Sequence, residues 1–331
     1  MSRISGLLAA ALAAASFAAG AQPKADAGAD YPARPVHILV GFTPGGGPDI
    51  TARYLAQKLG ETWKQQVIVD NRPGAGGTLA AHAVARAAPD GYTLLSVSSA
   101  HAVAAAIYPK LPYDTQKDLA GVTQTAASSY VLTVAPALGV GSVAELIARA
   151  KANPGQLNFS SAGVGSGTHF AGEMFKAMAG IDVVHVPFKG IPEALTETVT
   201  GRVQFFMAPI ANAVNLVREG KLKGLAVSSA KRDALLPDLP TVAEAGAGSG
   251  LSGYESILWF GLLVPAGAPR ALLAKLNRDA TRVLEAPETR QRWAPIGLDP
   301  RPTSPEDFDR LIRDDIAVFS RIAKSASINA E

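Results

Sequence analysis

The sequence has 331 residues, 48% hydrophobic and 18% charged, with 31 Lys and Arg against 28 Asp and Glu. That composition excludes a disordered chain, and the scattered basic residues leave no clustered footprint for nucleic acid. No cysteine is present, so disulfides and thiolate chemistry are excluded and a core must hold the chain together.

The first segment, MSRISGLLAAALAAASFAAGAQ, has Arg3 before an apolar run from Leu7 to Ala19, then Ala19-Gly20-Ala21. The run is too short to span a bilayer. This pattern predicts a signal peptide over 1–21, cut after Ala21, and a mature protein outside the cytoplasm. Residues 22–34 lack periodicity and read as a flexible leader.

Val36–Val40 reads as a buried strand, followed by the turn TPGGGPD and a helix from about Asp49 to Leu59, with Gly60 as its stop. Val67–Val69 is the next strand. NRPGAGG, residues 71–77, is a second Gly-rich turn before an Ala-rich helix to about Ala88. Thr93–Val97 is a third strand. Strands and helices joined by short turns point to parallel βαβ units.

A second series begins with a strand over Tyr130–Val134. Ser142 and Glu145 form a capping box that opens a helix to about Asn153. Leu157–Ser160 is a strand, and SAGVGSGTHF repeats the arrangement of strand, Gly-rich turn and helix. Further strands follow over Asp182–Val186, Val203–Met207, Leu222–Val227 and Leu258–Val264, with a helix over Pro192–Thr200. Helices close the chain over about Pro269–Leu284, around Thr289, and from Ser304 to about Lys324. Ser304-Pro305-x-Asp307 supplies a cap, Pro at N1 and an acid at N3. Two α/β units thus share one chain. The chain is expected to cross between them near residue 130 and return near 256, with the last helices on the first unit.

Open α/β sheets bind ligands at the carboxyl ends of their strands. A helix N-terminus there offers backbone N–H groups to an anion. The turn at 44–49, with Asp49 as a helix cap, is therefore either an anion site or a plain connection. A P-loop is absent, and both Gly-rich turns fail the G-x-G-x-x-G fingerprint at its third glycine. The nucleophile elbow G-x-S-x-G is absent too, since Val164 stands where its first glycine belongs. A Ser hydrolase using Ser166 and His169 is the alternative enzyme reading. Caps or ligand donors are the roles that fit the start of a helix. The five histidines show no metal-ligand spacing, so neither metal nor cofactor is expected. If the two units face each other, two helix N-termini enter one cleft, which suits a small carboxylate.

The stretches YPARPVHILVGFTPGGGPDITAR, NRPGAGG, PDGYTLL, ELIARAKANPGQLNFSSAGVGSGTHFAGEMF, HVPFKG, KLKGLAVSSAKR, LPTVAEAG and WFGLLVPAGAP resemble the Bug-type periplasmic solute-binding receptors, the extracytoplasmic subunits of tripartite tricarboxylate transporters. The resemblance runs from about Tyr31 to the C-terminal helix. It implies an α/β fold of two lobes, type II-like, joined by a two-strand hinge and closing like a flytrap. Residues 35–129 plus 256–331 would form the first lobe and 130–255 the second.

It also implies a periplasmic location, a small carboxylate ligand (a di- or tricarboxylate, amino acid or aromatic acid) and membrane permease subunits as partners. A sensor kinase is the alternative partner. Carried onto this chain, the carboxylate would meet Phe42, Gly46, Gly47 and Asp49 in the first lobe. Gly165, Ser166, Gly167, Thr168 and His169 would meet it in the second. The backbone at Ser98, Ser99 and Ala100 would line the cleft, and Phe188, Ala208, Pro209 and Ile210 would set specificity. Lys189 belongs to the general HVPFKG motif. Leu79-Ala80-Ala81 departs from the family, which often has another glycine there.

Overall fold

The computed structural model describes residues 31–326 and 328; the expected signal peptide and residues 22–30 of the expected leader lie outside them. The last four leader residues are part of the fold instead. Tyr31 is buried and its hydroxyl donates to Gly91 O at 2.6 Å, while Arg34 pairs with Asp90 at 3.0 Å. Aromatic packing of Tyr31 on Trp63 and Tyr92 supplies the order that periodicity did not reveal.

The first lobe opens with β1 (Val36–Val40), α1 (Gly47–Trp63), β2 (Val67–Asn71), α2 (Thr78–Ala85), β3 (Thr93–Ser98) and α3 (Ala100–Ile107). β1 lies between β2 and β3, parallel to both. Gly60 does not stop α1; the helix continues to Trp63 and ends at Lys64, which adopts a left-handed backbone with φ 55°. Gly60 serves another need, because a Cβ there would sit 3.2 Å from Gln65 O. α3 (AHAVAAAI) escaped sequence reading since it has no polar face, and it is buried along most of its length.

β4 (Leu119–Val134) runs 16 residues, almost all buried. Its first part pairs antiparallel with β9 (Ile257–Pro265), as far as Ser129 opposite Ile257. From Tyr130 onward it pairs with β7 (Phe205–Pro209) and β8 (Lys223–Val227), again antiparallel. One strand thus belongs to both lobes, and the change of partner falls between Ser129 and Tyr130. Only Tyr130–Val134 was legible as strand. The preceding LAGVTQTAASS is covered on both faces, so it lacks alternation, and two register shifts interrupt it.

The second lobe carries α4 (Val143–Ala152), β5 (Asn158–Ser161), α5 (Gly167–Ala179), β6 (Val184–Pro187), α6 (Ile191–Val199), α7 (Ile210–Arg218) and the short α8 (Val242–Ala245). β5 runs parallel to β6 and β7. The expected parallel βαβ units form the outer strands of each lobe, while at the centre β3, β9, β4 and β7 alternate in direction. The expected capping box of α4 is half formed. Ser142 accepts from Glu145 N, but Glu145 reaches Gly141 N instead of Ser142 N. α7 was missed because it starts directly at the end of β7, with no polar turn to announce it.

The chain closes with α9 (Arg270–Glu285), α10 (Pro287–Trp293), the two-residue β10 (Asp299–Pro300) and α11 (Pro305–Ser325). Ser304 caps α11 by accepting from Asp307 N. Phe308 of α11 lies against Gly261 of β9, where any Cβ would overlap its ring. Each lobe has its own core. Leu39, Leu95, Trp259 and Phe308 centre the first; Tyr130, Phe159, Phe175, Phe205 and Tyr254 centre the second. Each such side chain contributes roughly 1.5–3 kcal/mol by leaving water.

Candidate ligand-binding site

The turn between β1 and α1 is held from inside its own helix. Gly45 takes φ +86°, and Gly46 caps α1 without a side chain. Asp49, 2% exposed, does not cap through the N-cap position as expected. Its carboxylate accepts the Gly45 N–H at 2.9 Å, Asn71 Nδ2 at 2.8 Å and Arg53 Nε at 3.0 Å. Burial raises the Asp49 pKa, but the hydrogen bonds from Arg53, Gly45 and Asn71 outweigh it and hold the carboxyl below its usual range. Asn71 also donates to Phe42 O at 3.1 Å. Pro48 has no N–H to offer, so the donors at this helix start are those of Gly46, Gly47 and Asp49.

The turn between β5 and α5 repeats this geometry. Gly165 has φ +77°, and Ser166 is the N-cap, accepting from His169 N at 3.2 Å. Gly165 stands where Gly45 stands, Ser166 where Gly46 does, and His169 where Asp49 does. The Gly165 N–H donates to His169 Nδ1 at 3.3 Å. Burial, with His185 and Lys176 adding to it, lowers the His169 pKa to about 3, so the ring is neutral and Nδ1 is free to accept. His169 stacks on His185 with centroids 3.8 Å apart, and His185 Nε2 lies 2.6 Å from Ser161 Oγ. Thr168 Oγ1 accepts from Ala162 N at 2.9 Å, closing the turn.

This arrangement contradicts the hydrolase reading. Ser166 Oγ donates to Gly163 O at 2.7 Å and accepts the His169 backbone N–H. The His169 ring is engaged by Gly165, so no base faces the hydroxyl. Among the described residues, no group of three or more His, Asp or Glu side chains is placed to hold a metal. Nor is any described helix long and apolar enough to cross a membrane.

Several of the expected residues meet across the lobes. Ser99 is the N-cap of α3, and its N–H donates to Trp259 O. Its hydroxyl lies beside α5: a Cβ at Gly167 would be 3.4 Å from Ser99 Oγ and 2.5 Å from the Tyr130 hydroxyl. A Cβ at Gly165 would be 2.7 Å from Ile107 Cδ1 of α3. The Ser98 hydroxyl faces the Ala100 N–H at 3.4 Å. Phe188 donates its N–H to Ser161 O at 3.0 Å and lies next to Gly163. Ala208 and Ile210 are fully buried, packed in separate apolar clusters of the second lobe. Contacts from the Ala208-Pro209-Ile210 segment would therefore fall to its backbone.

Sequence reasoning treated NRPGAGG only as a connection. In the structure it forms part of the first lobe's wall. Gly74, Gly76 and Gly77 all have positive φ, as does Ala75 at 46°. A Cβ at Gly41 would be 2.5 Å from Gly77 Cα, so the two turns touch backbone to backbone, and the Phe42 ring covers Gly77. Three glycines within residues 74–77 were the available signal. Tyr130 was missed as well, having been read only as strand.

Comparison with known proteins places these features in a family. Residues 51–328 match the model of the tripartite tricarboxylate transporter family receptors. Protein BugT of Bordetella pertussis is 33% identical over 296 residues, covering 89% of this chain and 90% of BugT. The solved structure of R. palustris Rpa4515 with adipate has TM-score 0.79 and 35% identity, covering 90% of this chain and 99% of that one. MatC from Rhodopseudomonas palustris with bound malate has TM-score 0.74 and 33% identity, covering 88% and 99%. Fold, twin Gly-rich turns and matched length agree: this chain belongs to the tripartite tricarboxylate transporter receptor family, a family of solute-binding proteins rather than enzymes.

Proposed function

We propose that this protein captures a small carboxylate-bearing solute between its lobes and delivers it to the membrane subunits of a tripartite transporter. The observation that carries this reading is the pair of matched turns. Each places a positive-φ glycine before a helix N-terminus, and each is braced by a hydrogen bond from that glycine to the residue four places on. Helix N-termini hold anions through backbone N–H groups, so the ligand's charge needs no Arg or Lys. The adipate and malate in the two R. palustris structures support a carboxylate as the class.

In this account Gly46, Gly47 and Asp49 shape the first-lobe turn, and Gly165 to His169 shape the second. Ser99 supplies a hydroxyl from the neighbouring wall. β4 and the stretch entering β9 act as the hinge, and closure buries the ligand. Export past the inner membrane, with cleavage near Ala21, puts the mature chain in the periplasm.

A thermal-shift screen of small carboxylates, adipate and malate first, tests the reading. A ligand that binds only the folded state raises its stability by RT ln(1 + [L]/Kd). At least one carboxylate is expected to raise the melting temperature in proportion to the logarithm of its concentration. A flat response across mono-, di- and tricarboxylates would sink the assignment.

A further inference from the structure

A small cavity of about 10 Å³ lies within the first lobe's wall, bordered by Phe42, Gly77, Ser98, His101 and Tyr113. That volume holds about one water-sized atom. Two of its bordering side chains have unsatisfied polar atoms. His101 is 5% exposed and its Nε2 has no hydrogen-bond partner; Tyr113 is 6% exposed and its hydroxyl has none. The two rings lie near-parallel, with centroids 6.3 Å apart and planes 9° apart, and neither polar group bonds the other. Buried polar groups without partners are costly, and two bordering one space need a common explanation.

The chemistry of the cavity defines what it takes. Burial lowers the His101 pKa to about 4, so the imidazole is neutral. Burial likewise raises the Tyr113 pKa and keeps the phenol protonated. No Lys, Arg, Asp or Glu borders the cavity, which removes the counter-charge an ion would need. A carboxylate is too large for the volume. What remains is one neutral oxygen that both donates and accepts.

We infer that His101 and Tyr113 form a subsite for a single neutral, hydroxyl-sized oxygen, set behind the part of the wall that carries Phe42 and Ser98. The inference adds to the ligand site proposed above and rests on that reading for its role in binding. The oxygen belongs either to an ordered water or to a hydroxyl of the ligand. In both cases it links Tyr113 and α3 to the Gly41–Phe42 and Gly76–Thr78 turns, which meet through the Gly41–Gly77 backbone contact and the Phe42 ring. It would thereby fix the position of Ser98, the last residue of β3.

High-resolution crystal structures of the ligand-free wild type and of Tyr113→Phe test this directly. The wild type should show one oxygen within hydrogen-bond distance of both His101 Nε2 and Tyr113 Oη, and the variant should lose it. A structure with bound adipate or malate then separates the sources: an unchanged oxygen is water, and one covalently part of the ligand is the ligand's own. A cavity without density in the ligand-free wild type, or a Tyr113 hydroxyl bonded elsewhere in the protein, overturns the inference. The ligand-free result is independent of whether any carboxylate binds, so the two readings can fail separately.

Discussion

The Gly165 N–H donates to Nδ1 of His169, four residues on, at 3.3 Å. The same bond in the first lobe runs from Gly45 to Asp49 at 2.9 Å. The two turns thus use one backbone design with different acceptors. The carboxylate is held ionised by Arg53 and Asn71; the imidazole is held neutral chiefly by burial.

His169→Ala removes the acceptor and leaves the second turn unbraced. One net hydrogen bond is worth about 1 kcal/mol, so carboxylate affinity should fall by about fivefold. Calorimetry on the variant checks this, using any ligand found by thermal shift. Unchanged affinity would show that the brace does not shape the site.

Asp49→Ala should cost more, because a buried acceptor of three donors is lost. The Gly45 N–H would be left unpaired and Asn71 Nδ2 would keep only its bond to Phe42 O, for a stability loss of roughly 2–3 kcal/mol with the fold retained. Urea denaturation measures the loss. A midpoint equal to wild type would contradict the bracing role.

Acid should destabilise the protein through its buried histidines. His101, His169 and His185 have folded pKa values of about 4, 3 and 4, against 6.5 when unfolded. Between those limits the unfolded chain binds more protons, so stability is full above pH 6.5 and falls as pH drops towards 4. The slope is at most about 1.4 kcal/mol per pH unit per histidine. Urea melts at pH 7 and pH 5 test it, and a His101→Gln, His169→Gln double variant should flatten the difference. Asp49, with its lowered pKa, acts in the same direction at lower pH, while Glu173, raised by burial, opposes it.

Phe319 of α11 meets Phe170 of α5 edge to face at 5.2 Å, in a cluster shared with Val103 and Ile107 of α3. This contact joins the C-terminal helix to the helix that starts at the second turn. Phe319→Ala should cost roughly 2–3 kcal/mol, less than the ~3–5 of a fully buried Phe. It should also give a larger radius of gyration in small-angle scattering of the ligand-free protein. Identical scattering would mean that the contact does not hold the lobes together.

Much of this architecture was legible in the sequence. Val36–Val40 and Thr93–Val97 are buried apolar runs, and Ser304-Pro305-x-Asp307 announces its helix. The twin turns stood out because glycine is costly unless needed. What stayed hidden depends on tertiary context. β4 lacks alternation because both faces are covered, α3 lacks a polar face, and α7 begins without a loop. In the site, the exchange of Asp49 for His169 follows the register of the turns. The part played by NRPGAGG, however, requires knowing that Gly41 and Gly77 touch, a contact 36 residues apart in the chain. Burial of Ala208 and Ile210 was equally invisible, since apolar residues after a strand can face a cleft or a core.

The central claim is that paired helix N-termini grip a carboxylate through the backbone. It is tested most directly by calorimetric titration with a bound carboxylate and with its primary amide, which keeps the shape and removes the charge. The account predicts saturable binding of the acid and loss of most of that affinity for the amide. Equal affinity for the two would contradict it.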